Sequence, residues 1–172
     1  RTEGEIKAMS FKLGQQGEKC VQKLLKKFDL ECEINEDYKK RYDYDLVSAY
    51  KNKKVTYEVK YDYMAEKTGN LAIEVNNCKA DKPSGINVTK ANIWAHVVRD
   101  NKNMTIWMAK VSELKKFIKK TTPFREVTKA GDGNADLLLY KTDAILGPLF
   151  TRVDNISKSK FLKYLDNMIG KK

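Results

Sequence analysis

The sequence predicts an α/β fold, a central mixed β-sheet flanked by helices, and three observations predict it. Amphipathic helical patterns open and close the chain, over residues 4–28 and 157–169. Between them lie apolar runs of strand length, among them residues 55–60, 69–75, 93–98 and 104–109. A further helical pattern over 113–120 gives the order helix, strands, helix, strand, helix. The 172 residues read as one domain, 1–172, with a core over about 4–120 and a C-terminal strand-and-helix extension over 121–172.

In the first helix Gly17, Val21, Leu24, Leu25 and Phe28 form the apolar stripe, and lysines take the water side. Glu18 lies at the edge of that stripe, where an acid either approaches the sheet or makes a polar contact. Residues 30–34 predict the first strand, and a polar connection runs through 35–40. Residues 64–68 predict a loop. In the next strand Leu71, Ile73 and Val75 share one face, leaving Glu74 on the other as a further acid or an edge residue. Residues 76–82 predict a loop, 82–86 a turn, and 87–91 a helical turn before the strand that holds His96. A hairpin across 99–103 leads to the strand over 104–109, and Ser112 is placed to cap the helix over 113–120. Gly131-Asp132-Gly133-Asn134 predicts a loop. Three consecutive leucines, Leu137 to Leu139, predict a strand buried on both faces.

The chemistry concentrates in residues 41–61. Two strands joined by a turn at Lys51-Asn52-Lys53-Lys54 account for the pattern. On the second, Glu58 and Lys60 share one face while Val55, Tyr57 and Val59 share the other. Antiparallel pairing would bring Asp45, just ahead of Leu46 and Val47, to the Glu58/Lys60 face. Two carboxylates that close repel, and a bound divalent cation is the natural reason to assemble them.

Asp45, a spacer of roughly a dozen residues and Glu58-Val59-Lys60 on a strand resemble the PD-(D/E)xK nuclease superfamily. Other acid-x-Lys triplets, at Glu5, Asp37, Asp100 and Glu113, lack the strand context. Tyr44 stands where the superfamily's name has proline. The segment Gly69-Asn70-Leu71-Ala72-Ile73-Glu74, with Lys82-Pro83-Ser84-Gly85-Ile86 and Thr89-Lys90-Ala91, is similar to phage members, and the resemblance spans residues 14–98. It implies a restriction-endonuclease-like core and metal-dependent phosphodiester hydrolysis. Asp45, Glu58 and the Val59 carbonyl are then metal ligands, with Glu18 as an accessory ligand from the first helix. Mg²⁺ is the expected cofactor, with Mn²⁺ able to substitute, and Lys60 would position the attacking water or stabilise charge. Lys82, Ser84 and Lys90 are the candidate phosphate contacts.

The formal net charge of +11 points to a polyanionic partner, although a lysine-rich solvated surface gives the same sum. DNA is expected ahead of RNA, because the first helix lacks the histidine that cap-snatching RNA endonucleases place there. The alternatives are a cap-snatching-like RNA endonuclease or a non-catalytic basic module. A homodimer is compatible with the sequence; a membrane partner is not expected. Three scattered cysteines and one histidine supply neither a disulfide framework nor a zinc site, and an intracellular setting with no signal peptide is the expectation. His96, between Ala95 and Val97, reads as a core residue rather than a base.

Overall fold

The computed structural model describes residues 2–37, 39–40, 42–130 and 133–170. Arg41, which opens the key stretch, Tyr38 in the polar connection, and Gly131 and Asp132 of the expected loop lie outside these. In chain order the elements are α1 (Glu3–Lys27), β1 (Cys32–Ile34), β2 (Leu46–Tyr50), β3 (Lys53–Asp62), α2 (Ala65–Thr68), β4 (Asn70–Asn77) and β5 (Lys82–Pro83). A 3-10 turn (Gly85–Asn87) precedes β6 (Ile93–Asp100), β7 (Asn103–Lys110) and α3 (Val111–Lys120). Then follow β8 (Arg125–Ala130), β9 (Ala135–Lys141), α4 (Thr142–Ile145), β10 (Thr151–Arg152) and α5 (Lys158–Ile169).

The mixed sheet is present, in the order β1-β2-β3-β6-β7-β10, with β3 and β6 parallel and the other neighbours antiparallel. The β2–β3 hairpin turns on Lys51 and Asn52 alone, both at positive φ, so its connection matches the right-handed strand twist. Lys53 and Lys54 therefore belong to β3, not to the turn.

A second sheet, antiparallel in the order β5-β4-β9-β8, was not anticipated as a separate layer. β4 leaves the line of β3 and pairs with β9 from the far end of the chain, a long-range pairing with no local signature. Its recruitment explains two further differences. β8 is an additional strand, and Leu137, Leu138 and Leu139 are only half-buried because this sheet is covered on one face. Elsewhere, residues 65–68 form α2 rather than a loop, and β4 runs on through Asn77. The helical turn before β6 comes earlier than expected, at Gly85–Asn87, and Ser112 lies inside α3, whose N-cap is Lys110.

The mixed sheet separates two cores. On one face Val21, Leu25 and Phe28 of α1 meet Phe161 and Leu165 of α5 over Val55, Tyr57 and Val97, with the Phe28 and Phe161 rings 4.7 Å apart. On the other, Trp94, Val98 and Ala109 pack against Leu71, Ile73 and Tyr140 of the second sheet and Leu114 of α3. Each fully buried leucine or phenylalanine contributes roughly 1.5–3 kcal/mol of transfer free energy. Among the described residues no helix is long and apolar enough to cross a membrane.

Asp62, at the end of β3, ties the sheets together. Its Oδ2 accepts from the Ala72 amide of β4 at 3.0 Å and is 2.9 Å from Nε2 of the fully buried His96. The Trp94 indole can only donate, and it lies 3.1 Å from His96 Nδ1, so Nε2 carries the proton that goes to Asp62. His96 is thus a core residue, as expected. Burial pushes the Asp62 carboxyl up, but the His96 and Ala72 hydrogen bonds outweigh it and hold the group below its ordinary value. Because the folded value is depressed, this stabilisation is present above the unfolded value and is lost as pH falls through the folded one. Asp62→Ala strands two buried donors and should cost about 3–5 kcal/mol in urea unfolding at pH 7. A loss below about 1 kcal/mol would remove the tie between the sheets.

Candidate functional site

The last pair of the β2–β3 ladder is Leu46 with Tyr57, while β3 continues to Asp62. Beyond Tyr57 its odd-numbered residues turn their backbone groups toward a strand that is no longer there. Asp45 fills that gap. Its amide donates to the Tyr57 carbonyl at 2.8 Å, and its Oδ2 accepts from the Val59 amide at 2.8 Å. The Val59 carbonyl points the same way, past the end of β2.

Glu58 and Lys60 leave the opposite face of β3 from Tyr57 and Tyr61, as the alternation requires. Glu58 Oε2 accepts from the Thr89 hydroxyl at 3.0 Å, and Thr89 is itself buried. Lys60 Nζ lies 3.7 Å from Glu74 Oε1, so the second sheet contributes an acid directly to the site. Glu74 is fixed by what lies behind it. Gly85, at φ +54°, approaches so closely that a Cβ there would stand 2.2 Å from the Glu74 carbonyl oxygen. Gly17 does the same for α1, where an added Cβ would meet Tyr61 Cβ at 3.0 Å. That contact brings the next residue, Glu18, into the field of Asp45.

The electrostatics mark these acids as a group. Burial, and then the Asp45 charge, push the Glu18 carboxyl up to about 7. Burial also raises Asp45, opposed by the Val59 amide and Lys60. Glu58 is raised furthest, by burial and then by Asp45, with Thr89 and Lys60 only partly compensating. The structure therefore brings together Glu18, Asp45, Glu58, Val59 and Lys60, with Glu74 added.

Hard oxygen donors and carboxyls that resist sharing their charge suit a small divalent cation, which Mg²⁺ sites bind through one or two carboxylates and retained waters. Among the described residues no cluster of three or more His, Cys, Asp or Glu side chains is set to hold a metal ion by itself. Two carboxylates with the Val59 carbonyl, which is a backbone donor, do not require such a cluster.

The expected phosphate contacts divide. Lys82 forms the short β5 and lies over the Tyr42 ring at 5.4 Å. The Ser84 amide donates to Val75, and its hydroxyl is buried with no partner. The turn they enter is only three residues long, so neither sits at a helix N-terminus capable of holding an anion. Lys90 lies on the other side, 3.5 Å from Asp43 Oδ1 and next to Thr89. Sequence reasoning missed the roles of Thr89, Gly17 and Gly85. Gly17 stood in the stripe of the first helix and Gly85 in the turn signal, while Thr89 entered only as part of the phage-like segment, with no role of its own. Comparison with family models, curated proteins and solved structures found no match.

A raised folded value means that the folded state holds protons more tightly than the unfolded chain. For Glu18 that stability is full below about 4.5 and lost as pH rises through about 7, with Glu58 extending the loss higher. In EDTA, the melting temperature should fall from pH 5 to pH 8 more steeply for the wild type than for Glu58→Gln. Identical pH profiles for the two proteins would show that Glu58 does not share the field of its neighbours.

Proposed function

We propose that the chain is a metal-dependent endonuclease that hydrolyses phosphodiester bonds in DNA, branched or structured DNA included. The observation that carries this reading is the convergence of raised carboxyls at the open edge of β3 with Lys60 beside them. The PD-(D/E)xK resemblance points the same way, since its acid directly precedes β2 and its Glu-x-Lys lies on the neighbouring strand β3.

Asp45, Glu58 and the Val59 carbonyl would hold Mg²⁺, with Glu18 at the margin. The ion supplies Lewis-acid stabilisation of phosphoryl charge and a more acidic water. Asp45 is aligned for this by the Val59 amide and Glu58 by Thr89. Lys60, steadied by Glu74, can donate to a non-bridging phosphate oxygen and to the entering water. The water oxygen forms the new bond to phosphorus as the bond to the 3′ oxygen breaks. The water's proton passes to solvent, and the 3′ oxygen takes a proton to leave as a hydroxyl. A non-catalytic basic module would need none of these alignments.

Nicking of supercoiled plasmid with Mg²⁺ tests the proposal. Asp45→Ala and Glu58→Ala should abolish cleavage and leave DNA binding equal or tighter, because negative charge near phosphates is removed. Lys60→Ala should lower the single-turnover rate by about two to four orders of magnitude without unfolding the protein. Lys119→Ala, at the far end of α3, is the charge control. Equal rates across all four variants and the wild type would sink the assignment.

A further inference from the structure

Beside Thr89 lies an open groove of about 420 Å³ whose walls carry Lys53, Lys54, Lys90, Lys110 and Lys115. Among the described residues no aspartate or glutamate lines it. Only Lys90 has an acidic partner: among the described residues Lys53, Lys54, Lys110 and Lys115 enter no ion pair. Lysines gathered around one concavity repel one another and focus a positive potential that an anion relieves. The fold gathers them from three places. β3 supplies its first two residues, the segment before β6 supplies Lys90, and the β7–α3 junction supplies the rest.

Thr89 connects this groove to the acids. The hydroxyl that donates to Glu58 belongs to a residue of the groove wall. A strand whose scissile phosphate lies against Glu58 and Lys60 would thus have its neighbouring phosphates within reach of the lysines. The volume is that of a small-molecule site, which admits a short run of one strand rather than a whole duplex. We infer that this groove, and not the Lys82/Ser84 turn, holds the backbone phosphates of one DNA strand next to the scissile bond. The inference rests on the nuclease reading for its placement. Lysines act here as flexible point charges, so the contacts position the strand without reading its sequence.

The test is binding of a fluorescein-labelled single-stranded DNA oligonucleotide in EDTA, followed by anisotropy across a salt series. Lys53→Gln/Lys54→Gln/Lys110→Gln/Lys115→Gln is compared with Lys23→Gln/Lys27→Gln/Lys119→Gln/Lys120→Gln, which removes the same charge elsewhere. Groove neutralisation should reduce the slope of log affinity against log salt by about 3, from about 0.7 per lost phosphate contact, whereas the control should change it by less than about 1. Equal losses in both variants, or binding by the groove variant like that of the wild type, would overturn the inference. If the quadruple variant does not fold, lysine acetylation of the wild type with and without DNA gives the same answer. Protection of the groove lysines supports it and unchanged labelling overturns it. Plasmid nicking separates the two proposals: groove-dependent binding without Mg²⁺-dependent nicking keeps the groove and removes the nuclease. Nicking by the groove variant at the wild-type rate, with wild-type binding, removes only the groove.

Discussion

Strand β3 outruns its neighbour, and the candidate site depends on that mismatch. A strand held on one side by β6 through Asp62, but on the other by β2 only as far as Tyr57, leaves backbone groups to be satisfied by something else. Asp45 satisfies the first of them, at Val59, and in doing so is committed to a partly buried position beside Glu58. A longer β2 would close the ladder and exclude the carboxylate from that gap. Gly17 matters for the same reason. With side chains at 3.0 and 3.4 Å from its absent Cβ, even alanine would press on Tyr61 and Val59 by a few tenths of an ångström, and larger residues would push α1, and Glu18 with it, away from β3.

Two carboxylates on the same face of β3 show what the fold does when charge is to be neutralised and when it is not. Asp62 is buried, receives donors from His96 and Ala72, and is held below its ordinary value. Glu58, two pleat repeats away, is buried, receives one hydroxyl and faces Asp45, so its value is raised. The chain is evidently able to satisfy a buried acid. That it leaves Glu58 under-compensated is what the proposed nuclease reading requires of a group that works on a substrate.

The parts of this arrangement governed by short-range periodicity were legible in the sequence. Alternation along β3 places Glu58 and Lys60 together, and the hairpin brings Asp45 opposite them, with the local turn differing only in which residues it uses. The stripe of α1 likewise sets Glu18 at its edge. What was not legible depends on distant pairing. Nothing in residues 69–77 says that β4 will pair with β9, some sixty residues later, instead of joining the mixed sheet. The groove lysines show the same limit: they are scattered among three segments and converge only in the fold, whereas the expected contacts Lys82, Ser84 and Lys90 lie close together in the chain.

The second sheet is more than an appendage to the first. Among the described residues the ion pair of Lys60 is made not with an acid of β2, β3 or β6 but with Glu74 of β4. Glu74 in turn keeps its place because Gly85 packs onto its carbonyl, and the Ser84 amide bonds to Val75 beside it. The chain thus runs from a glycine turn, through a strand of one sheet, to the lysine of another. A substitution at Gly85 would act on Lys60 through Glu74, although Gly85 itself lies outside the cluster of acids. The position of the ammonium group is therefore set by the packing of two sheets, and the acids by the end of one strand. The proposed chemistry would require both to be in register, which would place the layer least visible in the sequence within the functional unit.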